Sequence, residues 1–298
     1  MRNFILRAAC VLFAVNCSFS QAWMTNLEIA QSLASVENKM ILMVWEETTK
    51  FQYPVFVNDD YGNVVLISNL FEDENVSPLI WENFVPVIVN EYEYSDLYAE
   101  IKGKRSQAYI DKFNDDSIKI LDVNGNILNV DSNSEDYENI SVFIQRYALN
   151  TEFLALELSG YRQKKDFYSA YYLASKYLDF SMYLDKSVRR DVIKLSEIYL
   201  EEAKAFLDGK SDQKPLTQRV ALLKIQYSLI NKRPKKVLRL LKKVESESVE
   251  ANNETFVAFL YYTAYMILDD KSNAEKWDSK ISSVNLKKAQ KIINLNKN

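Results

Sequence analysis

The residues best placed for chemistry in the first part of this chain form a polar run, Glu46-Glu47-Thr48-Thr49-Lys50. The run follows directly on Met40–Trp45, six nearly all apolar residues that predict a buried central strand of a parallel or mixed sheet. Side chains at the carboxyl end of such a strand border the crevice in which open α/β sheets bind ligands. Carboxylates, hydroxyls and an amine at this place are compatible with acid–base chemistry or with plain binding.

Histidine and cysteine chemistry is excluded by composition and by position. The chain contains no histidine, and its two cysteines, Cys10 and Cys17, lie within residues 1–22. If those residues are removed on export, the mature chain has no thiol for disulfide exchange, no cysteine or histidine nucleophile and no zinc site of the usual kind. Carboxylate, lysine, serine or tyrosine chemistry, oxygen-ligated metals and plain binding remain.

Residues 1–22 predict an export signal. Arg2 and Arg7 supply a basic start, an apolar stretch follows, and Ser20-Gln21-Ala22 is a small-x-small cleavage site. Two alternatives are an amphipathic N-terminal helix of a cytosolic protein and a lipoprotein signal with a lipidated Cys17, although asparagine precedes that cysteine. The favoured interpretation is a periplasmic or secreted protein that is cleaved near Ala22.

Three patterns within residues 23–148 resemble secreted thioredoxin-like proteins of Gram-negative bacteria. They are the spacing Trp23-(six residues)-Ala30-(three residues)-Ala34-(four residues)-Lys39, the helix-to-strand step Asn-Phe-Val-Pro-Val over 83–87, and a hairpin centred on Asn124-Gly125. The resemblance implies an α/β thioredoxin-like domain in which the strand over 40–45 lies beside a buried strand over 85–90.

The departures from this family fall on its catalytic elements. The family has a Cys-x-x-Cys pair where this chain has residues 46–50, and a cis-proline where this chain has Asp116-Ser117. Without a proline we expect a trans peptide bond at this place. The family's thiol activity is therefore not implied for this chain, and no catalytic residue is predicted. A binding site inherited from the family would lie where six residues approach one another: Trp45, Glu46, Thr48, Thr49, Asp116 and Ser117.

Two β-hairpins are predicted in the same part of the chain. Residues 54–57 and Val64–Ile67 flank an acidic turn, and this hairpin occupies the place where a thioredoxin begins its cysteine-bearing helix. The turn could bind calcium, but it lacks the spacing and the distal glutamate of a calcium loop, so a solvated turn is favoured. Residues 117–130 alternate around Asn124-Gly125, which predicts a type I′ turn with positive φ at both positions.

Residues 149–298 predict a helical domain. Apolar residues recur three and four apart in successive stretches that are interrupted by Gly160, Gly209 and Pro234. The helix lengths look similar to tetratricopeptide-like arrays, although no clean period of about 34 residues is present. Residues 232–243 form a basic amphipathic helix that could contact anionic lipid or nucleic acid, but a solvated face with one apolar seam is favoured.

Charge is unevenly distributed along the chain. Residues 46–140 contain 20 acidic and 6 basic residues, whereas residues 141–298 contain 19 acidic and 28 basic residues. The predicted organisation is a signal over 1–22, a thioredoxin-like domain over 23–148 and a helical domain over 149–298. Since the two domains have opposite charge, we expect them to pack together with basic helices facing the acidic domain.

Two classes of function are compatible with these patterns. The first is a non-catalytic adaptor that binds a protein or peptide partner in the cell envelope. The second is a carboxylate-based envelope hydrolase, which needs two carboxylates converging in a pocket with their pKa values pushed apart. The lack of a compact catalytic motif favours the adaptor. We expect no cofactor, no metal site and no nucleic-acid partner, and contact with a membrane surface is not the favoured role of the basic helix.

Overall fold

The computed structural model describes residues 22–131, 139–211 and 213–297. The predicted export signal therefore lies outside the described residues, except for Ala22. The described chain is a mixed α/β protein with two small sheets and many helices. Both sheets lie in the N-terminal half, residues 22–151, and the C-terminal half, residues 152–297, is helical.

The strands are β1 (Met40–Trp45), β2 (Val55–Asn58), β3 (Val64–Ile67), β4 (Phe84–Val89) and β5 (Lys119–Leu121). The larger sheet has the order β4-β1-β5, in which β4 runs parallel and β5 antiparallel to β1. All six residues of β1 are buried, as expected for an apolar run with a neighbouring strand on each side. The predicted central strand and its buried parallel neighbour are thus confirmed.

The helices of the described residues begin with α1 (Leu27–Glu37), which leads into β1. Asn26 caps this helix by accepting a hydrogen bond from the Ile29 amide at 2.9 Å, and Asn38 ends it in the left-handed conformation, with φ of 56°. The other helices are α2 (Val76–Asn83), α3 (Tyr94–Ile101), α4 (Gln107–Asn114), α5 (Ile140–Tyr147), α6 (Ala155–Gln163), α7 (Phe167–Ser181), α8 (Lys186–Ala205), α9 (Lys214–Ile230), α10 (Pro234–Ser246), α11 (Glu254–Ile267), α12 (Lys271–Asp278) and α13 (Ser283–Lys297). Among the described residues, no helix combines the length and the apolar character needed to cross a bilayer.

The first predicted hairpin is confirmed. Of the second, only β5 forms a strand, the return segment joins it through an isolated bridge between Leu121 and Ile127, and the predicted turn type was wrong. β2 and β3 pair antiparallel around residues 59–63. In the second hairpin the Gly125 amide donates to the Asp122 carbonyl at 3.0 Å, and only Gly125, with φ of 88°, has the positive φ that was expected for Asn124 as well. The Asp122 side chain accepts hydrogen bonds from the Asn124 and Asn126 amides, which stabilises this other turn.

The two halves meet at a buried carboxylate. Asp122, which is fully buried, accepts hydrogen bonds from the hydroxyls of Tyr177 at 3.1 Å and Tyr199 at 2.5 Å, both in the helical half. With the two turn amides, these hydroxyls give the carboxylate four donors. Burial nevertheless raises the pKa of Asp122 above its ordinary value, and the hydrogen bonds oppose that rise. One continuous apolar core also extends through both halves.

The ion pairs between the halves do not follow the predicted direction of charge. Lys194 of α8 pairs with Asp131, as expected for a basic helix against an acidic domain. Two other pairs run the opposite way, with the arginine in the N-terminal half: Arg105 to Glu202 at 2.5 Å and Arg146 to Asp191 at 2.9 Å. The halves are therefore held by apolar contacts and buried hydrogen bonds rather than by net opposite charge.

Candidate functional site

The structure brings Thr48 and Asp116, from the two segments predicted to border the sheet crevice, into contact. Glu46–Lys50 forms a 3₁₀ turn after β1, and the buried Thr48 hydroxyl donates to the Asp116 carbonyl at 3.4 Å. The Trp45 indole is buried and donates to the Phe113 carbonyl at 2.9 Å, while the Thr49 hydroxyl donates to the Glu46 carbonyl at 2.8 Å. The bond between Asp116 and Ser117 is trans, as expected.

Two lysines that the sequence analysis missed complete this edge of the sheet. The Lys112 ammonium donates to the Ser117 hydroxyl at 2.5 Å, and that hydroxyl donates to the Asp115 carboxylate at 2.5 Å. Lys119, on β5, is fully buried and donates to the Ser117 carbonyl at 2.8 Å and to the Asp115 carboxylate at 3.1 Å. Neither lysine was distinguishable in the sequence, because a lysine normally faces solvent, whether on a helix, as for Lys112, or on a short strand, as for Lys119.

Several polar groups at this edge of the sheet hydrogen-bond with one another. Ser117 is engaged by Lys112 and Asp115, and Thr48 by the backbone of the facing loop. A serine beside a lysine resembles an activated nucleophile. Here, however, the lysine donates to the serine, and the serine donates to a carboxylate. The arrangement stabilises the segment over 112–119 and engages the Ser117 hydroxyl, so it does not form an activated nucleophile.

Lys119 makes the stability of the protein depend on pH. Burial lowers the pKa of Lys119 from its usual 10.5 to about 8, against the opposing effect of Asp115. Between pH 8 and pH 10.5 the unfolded chain, in which Lys119 is protonated, binds more protons than the folded one. The stability gained from a neutral Lys119 is therefore complete above pH 10.5 and is lost as the pH falls through 8. Between pH 10.5 and pH 8 the free energy of unfolding of the wild type should fall by about 3 kcal/mol relative to that of Lys119→Met. Urea unfolding of both chains across this range measures the difference, and a constant difference would contradict the assignment.

A separate cleft of about 700 Å³ lies between the two halves of the protein. One wall comes from the N-terminal half: the loop over 104–106, Tyr109 of α4, and Ile127 and Val130 beyond the second hairpin turn. The opposite wall comes from α8, the end of α9 and the start of α10. Its size is within the range of ligand-binding clefts, and its lining mixes apolar and aromatic side chains with polar ones.

The charged residues that line this cleft are predominantly basic. Six of the lining residues are basic and two are acidic. Three of the basic residues have acidic partners: Arg105 with Glu202, Lys224 with Glu201, and Lys194 with Asp131. The other three, Lys104, Arg233 and Lys236, are exposed and form no ion pair with any other residue in the described part of the chain. The cleft therefore presents uncompensated positive charge beside apolar surface.

The two acidic residues of the cleft are Glu197 and Glu201, which lie one turn apart on α8. A hydrolase of the type considered above places its carboxylates on different sides of the scissile bond. Two side chains from one face of one helix approach a ligand from the same side, and Glu201 is paired with Lys224 at 2.5 Å. This geometry favours binding over carboxylate catalysis.

Part of the cleft had a signal in the sequence. Arg233 and Lys236 belong to the basic segment 232–243, which was interpreted as a solvated face. Lys104, more than a hundred residues earlier, had no recognisable connection with that segment. Only the packing of the halves brings these side chains to one cleft.

No family model, curated protein or solved structure matches this chain. The resemblance to secreted thioredoxin-like proteins therefore rests on the patterns within residues 23–148. Two candidate locations have been described, the edge of the sheet and the cleft between the halves. Geometry and charge favour the cleft.

Proposed function

We propose that this protein is an exported, non-catalytic adaptor that binds an acidic segment of a protein or peptide partner in the cleft between its two halves. The observation that carries the proposal is the uncompensated positive charge of Lys104, Arg233 and Lys236 in a cleft of about 700 Å³. Export is inferred from the signal pattern of residues 1–22.

The proposed architecture is a degenerate thioredoxin-like domain followed by a helical, tetratricopeptide-like domain. Support for the first comes from the central strand β1, its parallel neighbour β4 and the helix-to-strand step that delivers β4. Support for the second comes from the succession of helices joined by short connections after residue 152, which is typical of antiparallel helix pairs. Residues 46–50 and Asp116-Ser117 stand where the thioredoxin-like family has its redox elements, so we assign the protein to binding rather than to thiol chemistry.

The chemistry of the partner follows from the lining of the cleft. Carboxylates of an acidic peptide would face the three free cations, and its apolar side chains would contact Tyr109 and Ile198. Such charge complementarity speeds encounter and selects against basic partners. Because the three cations are exposed, added salt should weaken the binding.

The test compares two triple charge reversals in the full chain. The first is Lys104→Glu/Arg233→Glu/Lys236→Glu, in the cleft. The matched control is Lys235→Glu/Arg239→Glu/Lys242→Glu, three exposed basic residues of α10 that do not line the cleft. The probe is a fluorescein-labelled peptide of about eight alternating glutamate and valine residues, a typical strand length. The cleft variant should bind about tenfold to a hundredfold more weakly than wild type, and the control within about threefold.

The same three chains are then used to capture partners from the envelope fraction of the source cells. Partners retained by wild type and by the control, but lost with the cleft variant, would support the proposal. Equal losses with both variants would show non-specific attraction to a basic surface and would contradict it. Sequencing the N-terminus of the protein from the envelope fraction tests the proposed export, which predicts a mature chain that begins near Trp23.

A third variant separates the cleft from the sheet edge. Thr48→Ala/Thr49→Ala/Ser117→Ala changes the residues that the family resemblance pointed to. Because these side chains are engaged with their own loops, partner capture should be unchanged. Loss of capture at unchanged stability would move the site back to the edge of the sheet.

A further inference from the structure

β3 is the outer strand of the two-stranded sheet. On the other side of β2, Phe56 forms a parallel bridge with Asn139, and the Asn58 amide donates to the Ser141 hydroxyl at 2.9 Å. No comparable contact is made to the outer side of β3 within residues 22–131, 139–211 and 213–297. The hairpin therefore has one covered edge and one open edge.

The hydrogen-bonding pattern between β2 and β3 determines which backbone groups of β3 point outward from the open edge. The Asp59 amide donates to the Asn63 carbonyl at 2.9 Å, so these two residues form a hydrogen-bonded pair. Hydrogen-bonded and non-bonded pairs alternate along an antiparallel ladder. The pair Asn58–Val64 is therefore non-bonded, and so is the pair that contains Leu66. The N–H and C=O groups of Val64 and Leu66 thus face away from β2, ready to pair with a further strand.

The open edge also lacks the usual protection against pairing. Val64, Val65 and Leu66 are 61%, 43% and 59% exposed, and β3 contains no charge and no proline. Natural proteins usually protect such an edge with lysine, proline or a bulge. An extended peptide that adds to β3 would gain backbone hydrogen bonds and would cover these apolar side chains.

The net charge of the segment that contains the hairpin indicates the kind of partner. Residues 46–75 contain seven acidic residues and one basic residue, Lys50, which is already paired with Glu47 at 2.5 Å. A second copy of the chain would bring the same negative charge to the edge and would be repelled. We propose that β3 is a docking edge for an extended segment of another protein in which apolar residues alternate with lysine or arginine.

The test removes one outward N–H without touching the β2–β3 ladder. Leu66→Pro deletes this donor at an edge position where proline is tolerated, and Leu66→Thr is the matched control that keeps it. The probe is a fluorescein-labelled peptide of about eight alternating lysine and valine residues, titrated against the full chain. Leu66→Pro should weaken binding about tenfold or more, because a hydrogen bond is lost and the ring obstructs the added strand. Leu66→Thr changes only the side chain and keeps the donor, so it should weaken binding clearly less than Leu66→Pro does.

Three results would overturn the proposal. The first is binding of the lysine–valine peptide that Leu66→Pro does not change. The second is a dimer of the full chain that sedimentation detects and Leu66→Pro dissociates, because a second copy would then occupy the edge. The third concerns the glutamate–valine peptide, which is expected to bind in the cleft and to be insensitive to Leu66→Pro. If that substitution weakens its binding, the charge assignment is wrong.

Discussion

Replacement of Leu42 by aspartate is expected to leave the full chain unfolded. Leu42 is completely buried in the middle of β1, between β4 and β5. A carboxylate there loses its hydration and gains no cation, and the packing of the leucine is lost as well. Together these effects cost several kcal/mol, which is comparable to the entire stability of a typical domain, about 5–15 kcal/mol. Far-UV circular dichroism and thermal unfolding measure the outcome.

The matched control places the same substitution on an exposed strand. Leu66 on β3 is 59% exposed, so Leu66→Asp should change stability by only about 0.5 kcal/mol. If Leu42→Asp melted like wild type, β1 would not be the central strand of the fold. If the two substitutions were equally damaging, burial would not explain the effect at Leu42.

The second large effect is expected for Asp122→Ala, which removes the carboxylate between the two halves. Four donors lose their acceptor: the Asn124 and Asn126 amides and the hydroxyls of Tyr177 and Tyr199. Each buried donor left without a partner costs about 1–3 kcal/mol, although the hydroxyls can reorient. We therefore expect a loss of about 3–5 kcal/mol in the free energy of unfolding, measured by urea denaturation.

Three other variants separate the carboxylate from its surroundings. Asp122→Asn keeps an oxygen for the two amides, and the tyrosine hydroxyls can rotate to accept from its amide nitrogen, so its loss should be clearly smaller. Tyr199→Phe removes one hydroxyl and should cost about 1 kcal/mol. Asp116→Ala, at an exposed aspartate of the same half, should cost at most about 0.5 kcal/mol. A loss for Asp122→Ala no larger than for Asp116→Ala would refute the interface described above.

The sequence by itself determined the elements that depend on local patterns of apolar and polar residues. Met40–Trp45 is a short run that is apolar at every position, which favours a fully buried strand, and the structure places it at the centre of the sheet. The β2–β3 hairpin was likewise predictable, because two β-rich runs flank a polar turn. Composition alone excluded histidine chemistry. It also excludes cysteine chemistry if residues 1–22 are removed.

Contacts between residues distant in sequence were decided only by the tertiary structure. Asp122 marked a turn in the sequence, but its tyrosine partners lie 55 and 77 residues further on. Lys119 alternates like a surface residue, yet the fold buries it against Asp115 and Ser117. Lys104 and Arg233 reach one cleft only because α8 packs against the N-terminal half, α9 against α8, and α10 against α9. Periodicity reports which face of an element is apolar, whereas packing selects the elements that meet and so decides which polar side chains share a cleft.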